Sequence, residues 1–442
     1  MMKLISPLKI LTAAFFIASV GTIANAQDTL LLDEAIKIGL EKNFAIRVAE
    51  NEAQISVNNN TIGNAGFLPV ISADGTINRR NEDNLVRYAD LPDRDDQNAV
   101  TTVYNYGIDA SWRIFDGLTM FATLDRLSAE EDISEEEARF SVELVLADII
   151  TTYFQIAGQQ KANEVLQNTV EISQERIDIA ETKRNLGSGS EYELLQARAD
   201  FNADRAALIR TGTSLNRLKL QLKRFMADAD HSGFEVEAGI TLSEKLDLNL
   251  LLNDALEQNR ELNIARLNES VAKFEISEIN GEWFPQVDIG GGYGFNRVEA
   301  SSGFSEFSET TGFSYGITAR INLFDGFNKS RRKQNAEILL KNEQLRTEEL
   351  QMQIGSHIRE IYAQYSDALS LIELEEENLT ITEQTVEIAL ERFQLGTINS
   401  VEFREVQQNL LDAENRLITA QIEAKSSETE LLRLSGRLLF KE

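Results

Sequence analysis

The carboxylates best placed to act together are Glu402 and Glu405, three residues apart and therefore on one face of a helix. Glu193 precedes Glu402 by 209 residues, so each half of the chain carries an acid at this place. Carboxylates in a narrow passage attract cations, because the low-dielectric walls focus the electric field. The spacing fits such a pore site, and it fits an exposed acidic helix face as well.

Other residue patterns that could do chemistry are better explained by structure. His231 and His357 stand far apart without a ligand motif and are interpreted as surface or packing residues. The glycine-rich residues 290–294 continue a strand pattern and no helix follows, as a phosphate loop would require. Residues 187–190 join helix to helix, which excludes a nucleophile elbow. The chain has no cysteine. The sequence therefore predicts no enzyme, no cofactor and no metal site.

The elements that position the acids occur twice in the chain. The separation of matching residues is 209 from Tyr106/Tyr315 to Glu193/Glu402, and 216 for Pro69/Pro285. A period of this length indicates a duplicated domain rather than a short-repeat solenoid. The motifs that recur are Phe-Leu-Pro and Trp-Phe-Pro, Tyr-Gly-Ile, Ile-Phe-Asp-Gly and Leu-Phe-Asp-Gly, and Leu-Gly. We expect residues 27–229 and 230–442 to be the two structural repeats.

Alternation of apolar and polar residues predicts two strands in each half. It runs over residues 70–78 and 104–114, and again over 287–296 and 313–323. Aromatic residues on the apolar side are typical of transmembrane β-strands, although a half-buried soluble sheet has the same period. The aspartate-rich residues 81–98 are predicted to be a polar connection between the first two strands.

Each pair of strands is expected to be followed by a long helical hairpin. Residues 118–184 and 327–393 contain almost no helix breaker, and each would form a helix of about 100 Å. Along the second helix an apolar residue recurs every seventh position, which indicates coiled-coil packing. This stripe is Ile358, Tyr365, Ile372, Leu379, Val386 and Phe393. The helices 191–226 and 401–434 return alongside. A helix is also predicted over 32–64, with a break near Asn43, and residues 227–250 are predicted to be an irregular connector.

Four residues are predicted at the junction between strands and helices. Pro69 and Pro285 precede the first strand of each half, where proline ends a helix. Gly117 and Gly326 close the Phe-Asp-Gly turns that lead into the long helices. These four residues would therefore mark the rim of the strand domain.

The N-terminus predicts export from the cytoplasm. Lys3 and Lys9 precede an apolar run from Ile10 to Val20, and Ala24-Asn25-Ala26 precedes Gln27, so residues 1–26 are interpreted as a signal peptide. No later segment reaches 18 uncharged apolar residues, which argues against a membrane helix. Loss of the two lysines takes the formal charge from −29 to −31. Such a surface repels nucleic acid and suits either a well-solvated protein or a cation-attracting pore.

Four membrane strands cannot close a barrel alone, because an open edge in lipid leaves backbone groups unsatisfied. A dimer would supply eight strands, and a barrel of eight is filled by side chains. A trimer would supply twelve strands and twelve helices, enough for an open tube. The expected fold is therefore mixed all-α plus membrane β-barrel, with a duplicated protomer that trimerises into a 12-stranded β-barrel on a 12-helix α-barrel.

With these repeats the chain resembles the TolC-type outer-membrane efflux proteins over essentially its whole mature length. The resemblance rests on the duplicated order of helices and strands and on the tip pattern Gly-x-x-Ser-x-x-acid. That pattern reads Gly187-Ser188-Gly189-Ser190-Glu191-Tyr192-Glu193 here, and its second copy runs from Gly396 through Ser400 to Glu402. Phe393 stands where the family has a tyrosine donor, and Ile398 where it has a gate arginine.

The resemblance implies an outer-membrane channel that extends into the periplasm. It implies a homotrimer in outer-membrane lipid, docked to a periplasmic adaptor and linked to an inner-membrane transporter. Glu193, Glu402 and Glu405 fall on acidic positions near the family's gate. Gly187, Ser190, Gly396 and Ser400 fall on the tip turns where adaptors dock.

The alternative function is that of a trimeric coiled-coil structural or adhesive surface protein, which would likewise carry heptads and a membrane anchor. Such a protein needs a long repetitive stalk and one anchor module, whereas this chain interleaves two strand pairs with two helical hairpins. The sequence therefore favours an export duct, and planar-bilayer conductance separates the two functions.

Overall fold

The computed structural model describes residues 28–228, 233–243 and 245–440. The predicted signal peptide, the boundary between the two repeats and His231 fall outside these residues. The chain forms, in order, β1 (Asp28–Leu30), α1 (Leu32–Lys42), α2 (Phe44–Asn59), β2 (Val70–Val86), β3 (Arg94–Phe115), α3 (Thr119–Asn185), α4 (Glu191–Phe225), β4 (Phe234–Val236), α5 (Leu248–Gln258), α6 (Arg260–Gly281), β5 (Gln286–Ala300), β6 (Phe307–Arg320), α7 (Asn328–Gln394), α8 (Ser400–Leu434) and a short 3₁₀ helix, Leu438–Phe440.

The four long strands form one antiparallel sheet in the order β2-β3-β5-β6. Its centre joins the two halves of the chain, since Tyr106 of β3 pairs with Phe295 of β5. The same pseudo-symmetric pairing recurs within each half, β2 with β3 and β5 with β6. Within the described protomer, β2 and β6 are left as the two outer edges of the sheet.

The two faces of the sheet differ in chemistry. One carries stacked aromatic side chains, Tyr106 on Phe295 at 4.3 Å and Tyr293 beside Phe313 at 4.6 Å between ring centroids. Phe313 is 83% exposed, although it is a large apolar side chain. The opposite face carries polar groups such as Asp109. An exposed aromatic face on long strands is what a membrane-facing sheet requires.

Both long helices form as predicted, with 67 residues each. Thr119 and Asn328 begin them and differ by 209, and the return helices α4 and α8 keep the same separation. Within α7 the seven-residue stripe faces inward: Ile358 and Tyr365 are fully buried, and Val386 and Phe393 nearly so. The first hairpin, α3 and α4, and the second hairpin, α7 and α8, are therefore two copies of one coiled coil.

Equivalent apolar clusters and asparagines fix the middle of each hairpin. Ile149 with Leu222 in the first half corresponds to Ile358 with Leu431 in the second. Asn43 caps α2 and donates from Nδ2 to the carbonyl of Phe225, 2.7 Å away. Asn259 caps α6 and donates in the same way to the carbonyl of Leu434 at 2.9 Å. Each asparagine thus ties the start of one helix to the end of the returning helix.

The four predicted junction residues lie at the junction of strands and helices. Pro69 and Pro285 stand immediately before β2 and β5. Gly117 and Gly326 have φ of +77° and +69°, a region that favours glycine. A Cβ on Gly117 would come within 2.1 Å of the carbonyl oxygen of Gly281, so this glycine also permits close approach of α6.

Three expectations from the sequence were wrong. The aspartate-rich residues 81–98 belong largely to β2 and β3, which extend to Val86 and start again at Arg94. Their backbones pair with each other, so polar side chains are tolerated on both faces of this projecting hairpin. The connector 227–250 contains β4, which pairs in parallel with β1. Finally, β6 ends at Arg320 rather than continuing to 323.

Among the helices of the described residues, one meets the length and hydropathy of a membrane span, which the sequence analysis did not predict. An 18-residue window within α3 has a mean hydropathy of 1.4 and at most two charged residues. Half of that window is buried inside the protomer. The apolar run is therefore the core-facing part of a helix that packs against its neighbours.

Candidate gate at the helical tips

The two hairpins end in the same turn. Gly187 and Gly396 have φ of +73° and +72°. The amide of Ser188 donates to the carbonyl of Lys183 at 2.9 Å, and that of Thr397 to Arg392 at 2.8 Å. This six-residue closure, with glycine in the left-handed region, is the Schellman ending of a helix. Both tip glycines thus adopt the left-handed conformation that ends a helix.

The predicted gate acids Glu193 and Glu402 both belong to capping boxes. Glu193 accepts from the amide of Ser190 at 3.3 Å, and the Ser190 hydroxyl accepts from the amide of Glu193. Glu402 accepts from the amide of Asn399 at 3.0 Å, and Asn399 caps the start of α8 in return. Each acid therefore accepts a hydrogen bond from a backbone amide at the start of the helix, and its negative charge is stabilised by the positive end of the helix dipole.

The remaining predicted tip residues divide into exposed and buried. Glu405 is exposed on the same face of α8 as Glu402. Ser400 is buried and contacts Arg176 of α3. The residue equivalent to Ser190 is Asn399, which differs from it by 209 and caps α8 as Ser190 caps α4. The pore-lining and docking roles of these residues stay predictions.

A polar cleft of about 660 Å³ separates the two tips. Lys183 reaches across it from α3, donating to the carbonyl of Phe393 at 3.2 Å. Its ammonium also lies 4.5 Å from the centre of the Phe393 ring, which stacks on Phe403 at 5.2 Å. The phenylalanine at the family's tyrosine position thus receives a cation instead of donating a hydrogen bond.

About three helical turns before the tip glycine Gly187, buried Arg176 connects the hairpins. It is 1% exposed, pairs with Asp200 of α4 at 3.0 Å, and donates to both the hydroxyl and the carbonyl of Ser400 on α8. Burial lowers the pKa of Arg176, while the contact with Asp200 opposes that change. Its Nε and Nη1 atoms have no hydrogen-bond partner in the described part of the chain. This arginine also lies over the ring of Phe403, at 6.0 Å.

A second ion pair, between partly buried Arg404 and buried Asp204, lies farther along the same interface. Arg404 of α8 binds both oxygens of Asp204 of α4, at 2.7 and 2.8 Å. Asp204 also accepts from the hydroxyl of Ser173, and Gln407 donates to the carbonyl of Thr169 at 3.2 Å. We call this set the hairpin clamp: Thr169, Ser173, Arg176, Lys183, Asp200, Asp204, Phe393, Ser400, Phe403, Arg404 and Gln407.

Sequence reasoning missed the clamp, because its members are far apart in the chain. Arg176 and Ser400 are separated by 224 residues. The pattern Ser190-x-x-Glu193, by contrast, is a readable capping-box signal that the sequence analysis did not use. Across the described ranges, no three His, Asp or Glu side chains are grouped as a metal site. His357 is exposed on α7.

Known proteins share both the sequence and the fold of this chain. The sequence pattern of the outer membrane efflux protein family matches residues 35–227 and 251–437, one segment in each half. The chain is similar to CyaE of Bordetella pertussis, at 23% identity over 94% of this chain and 86% of that protein. It is also similar to outer membrane protein TolC of Vibrio cholerae, at 19% identity over 98% and 96% of the two chains.

The solved structures agree in fold. The CmeC outer membrane channel of Campylobacter jejuni superposes with a TM-score of 0.77 at 14% identity, covering 98% of this chain and 94% of that one. The family match covers a segment in each half of the chain, and the geometry of the tips and the sheet agrees with it. This chain belongs to the outer membrane efflux protein family and is an outer-membrane channel of an export system that extends into the periplasm.

Proposed function

We propose that three copies of this chain close into one continuous duct that conducts and does not catalyse. The edges β2 and β6 each lack a partner on one side within the described protomer. In lipid those backbone groups require hydrogen bonds, which a neighbouring copy supplies by pairing its β2 with β6. Twelve strands then form a barrel wide enough to leave an open interior.

The outermost helices lie on the same two sides of the protomer as the edge strands. In the half that contains the return helices, α4 packs on α3, α3 on α8, and α8 on α7. In the half that contains α2 and α6, the contacts run from α2 to α3, then α6, then α7. Thus α7 and β6 form one flank of the protomer, and α2, α4 and β2 form the other. Joining unlike flanks head to tail generates a ring.

The free flanks carry apolar stripes. On α7 a second set of apolar residues recurs every seven positions and is more than half exposed: Ile338, Leu345 and Met352, then Leu374, Ile381, Ile388 and Leu395. The opposite flank exposes Phe44, Val48 and Ile55 on α2, and Leu195, Ile209 and Leu220 on α4. A heptad stripe without a partner in the protomer is suited to coiled-coil packing against a neighbour.

The duplication predicts which residues would meet at the contact between neighbouring copies, here called the seam. Inside the protomer, Arg260 of α6 binds Glu136 and Glu143 of α3 at 3.1 and 3.2 Å. The equivalent residues, 216 earlier for α6 and 209 later for α3, are Phe44, Leu345 and Met352. An ion-paired contact within the protomer is therefore replaced by an apolar contact between copies. This replacement is the observation that best supports assembly.

The assembly can be tested by placing charge on the stripe. Ile381→Asp with Ile388→Asp buries two carboxylates per seam, which is unfavourable without partners. We expect native mass spectrometry in detergent to show trimers for the unchanged protein and mostly monomers for this variant. Thr380 is exposed but lies outside both stripes, so Thr380→Asp should leave the trimer intact. A stable monomer or dimer of the unchanged protein would overturn the proposal.

We further propose that the tips receive a periplasmic adaptor linked to an inner-membrane pump. The support is the repeated turn at Gly187 and Gly396 and the open cleft between the two tips. Gly187→Val or Gly396→Val should strain the turn while leaving the strands and stripes unchanged. The expected result is normal trimers in the outer membrane that no longer crosslink to the adaptor. Unchanged crosslinking would show that the adaptor docks elsewhere.

A further inference from the structure

We propose that the start of α7 binds the phosphate group of an anionic phospholipid in the periplasmic leaflet of the outer membrane. The site consists of the basic residues within 329–333 and the aromatic side chains beside them. The proposal rests on the outer-membrane location of the sheet. It does not depend on the proposed trimer, because each protomer carries the whole site.

The start of α7 carries an unusual concentration of positive charge. Lys329, Arg331, Arg332 and Lys333 lie within its first two turns. No other five consecutive residues of this chain, whose formal charge is −29, contain four lysines or arginines. The positive end of the helix dipole disfavours cations at the start of a helix, so these charges do not stabilise α7. A bound anion would offset the charge of the side chains and of the dipole together.

Two of the four basic residues have partners within the fold. Arg332 binds both carboxylate oxygens of Glu282, which lies at the end of α6. Buried Lys329 donates to the carbonyl of Asn322 at 3.1 Å. These two residues fix the start of α7 against the end of α6 and the end of the sheet.

The other two basic residues are available to a ligand. Arg331 and Lys333 pair with no carboxylate within the described residues, and Arg331 reaches only the amide oxygen of Asn328, at 3.4 Å. Arg331 is exposed and Lys333 is half-buried. The equivalent residues of α3, Ala122 and Leu124, are only half-buried although α3 is packed between α2 and α6. A neighbouring copy would therefore leave room for longer side chains at these two positions.

Aromatic side chains place the basic residues at the membrane boundary. The ammonium group of Lys329 lies 5.6 Å from the centre of the Trp283 ring, and Trp283 is 51% exposed. Other large apolar side chains are exposed at the same junction: Phe284, Leu323, Phe324 and Phe327. Aromatic residues at the ends of membrane strands lie at the depth of the lipid headgroups. A lysine or arginine at that depth can bind a lipid phosphate.

The duplication separates membrane contact from charge. The first half keeps exposed aromatic residues at its junction, among them Trp112 and Phe121. The residues equivalent to the basic run, 209 positions earlier, are Met120, Ala122, Thr123 and Leu124. Contact with the membrane therefore does not by itself require the basic residues. Because the added feature of the second half is positive charge, we expect it to prefer phosphatidylglycerol, which has a net negative charge, over zwitterionic phosphatidylethanolamine.

The two tryptophans of the chain provide matched reporters, one at the junction in each half. Trp112→Phe leaves Trp283 as the reporter beside the basic residues. Trp283→Phe leaves Trp112 as the reporter where they are absent. Each protein is placed in vesicles of phosphatidylethanolamine with a minor fraction of a lipid whose brominated acyl chains quench tryptophan fluorescence on contact. That lipid is phosphatidylglycerol in one series and phosphatidylethanolamine in the other.

We expect the apparent binding constant of brominated phosphatidylglycerol beside Trp283 to exceed that of brominated phosphatidylethanolamine at least about fivefold, the effect of one basic residue near a charged surface. Beside Trp112 the two lipids should quench alike. Arg331→Gln with Lys333→Gln should abolish the preference at Trp283. The control, Arg346→Gln with Arg359→Gln, removes the same charge from exposed positions of α7 about 20 Å or more farther along the helix and should keep the preference.

The proposal is overturned if Trp283 shows no preference for phosphatidylglycerol, if Trp112 shows the same preference, or if Arg331→Gln with Lys333→Gln retains it. Equal loss in the control variant would assign the preference to the overall charge of the protein and would overturn the site as well. Native mass spectrometry of the same samples reports assembly separately. A monomer that keeps the lipid preference would contradict the trimer and support the lipid site.

Discussion

At the scale of single residues, both tips end one helix and start the next with the same two capping motifs. Gly187 and Gly396 close Schellman turns, and Glu193 and Glu402 complete capping boxes immediately after them. The acids that could face a pore therefore already have a structural function. Glu402 remains exposed and Glu193 is partly exposed, so capping and ion attraction are compatible at one residue.

Alanine at a tip glycine should loosen the turn. Gly396→Ala forces a side chain into the left-handed region at a cost of about 1 kcal/mol. We expect amides 397–402 to exchange with deuterium about fivefold faster, which corresponds to that energy. Gly212→Ala lies in the helix α4 with space for a Cβ and should slow local exchange instead. Equal effects of the two variants would contradict a special role for the turn.

At the scale of elements, α3, α7 and α8 meet around the carboxyl group of Glu414, and burial there disfavours its charged form. Burial raises the pKa of Glu414 above its ordinary value, Lys161 opposes this, and Glu383 and Glu164 reinforce it. The folded protein therefore binds this proton more tightly than the unfolded chain. The contribution of Glu414 to stability is therefore greatest below the ordinary pKa near 4.5 and is lost as pH rises through the raised pKa.

Glu414→Gln removes this titration and should flatten the pH dependence of unfolding. Above the raised pKa the variant should melt at a higher temperature than the unchanged protein, and the difference should shrink as pH falls toward 4.5. Thermal melts followed by circular dichroism across this range make the comparison. Glu376→Gln, an exposed acid on α7, serves as the control and should leave the profile unchanged. A constant difference at every pH would mean that titration of Glu414 is not involved.

At the scale of the whole molecule, the chain places its charge and its exposed apolar surface in different regions. The sheet exposes aromatic side chains on one face, and the helices expose acids around the tips. Closing three copies would bring six carboxylates, from Glu402 and Glu405, near one axis. A narrow ring of this kind favours cations over anions.

Glu402→Gln with Glu405→Gln should shift the reversal potential toward zero in a salt gradient. Glutamine at 402 can still accept from the amide of Asn399, so the capping box is kept while the charge is lost. Glu34→Gln, exposed on α1 away from the tips, removes one negative charge per protomer and should leave selectivity intact. If the double variant keeps its cation preference, these acids face away from the pore.

The sequence by itself determined the architecture, because periodicity and duplication are local signals. The 67-residue helices, the four strands and the break at Asn43 are readable from the spacing of apolar residues and of helix-ending residues. Only the tertiary structure decided the clamp. Arg176 and Ser400, or Arg404 and Asp204, stand two hundred residues or more apart, and no pattern in the chain pairs them. The same is true of β1 with β4. Long-range polar contacts depend on how the two hairpins dock, and docking is settled by packing in three dimensions.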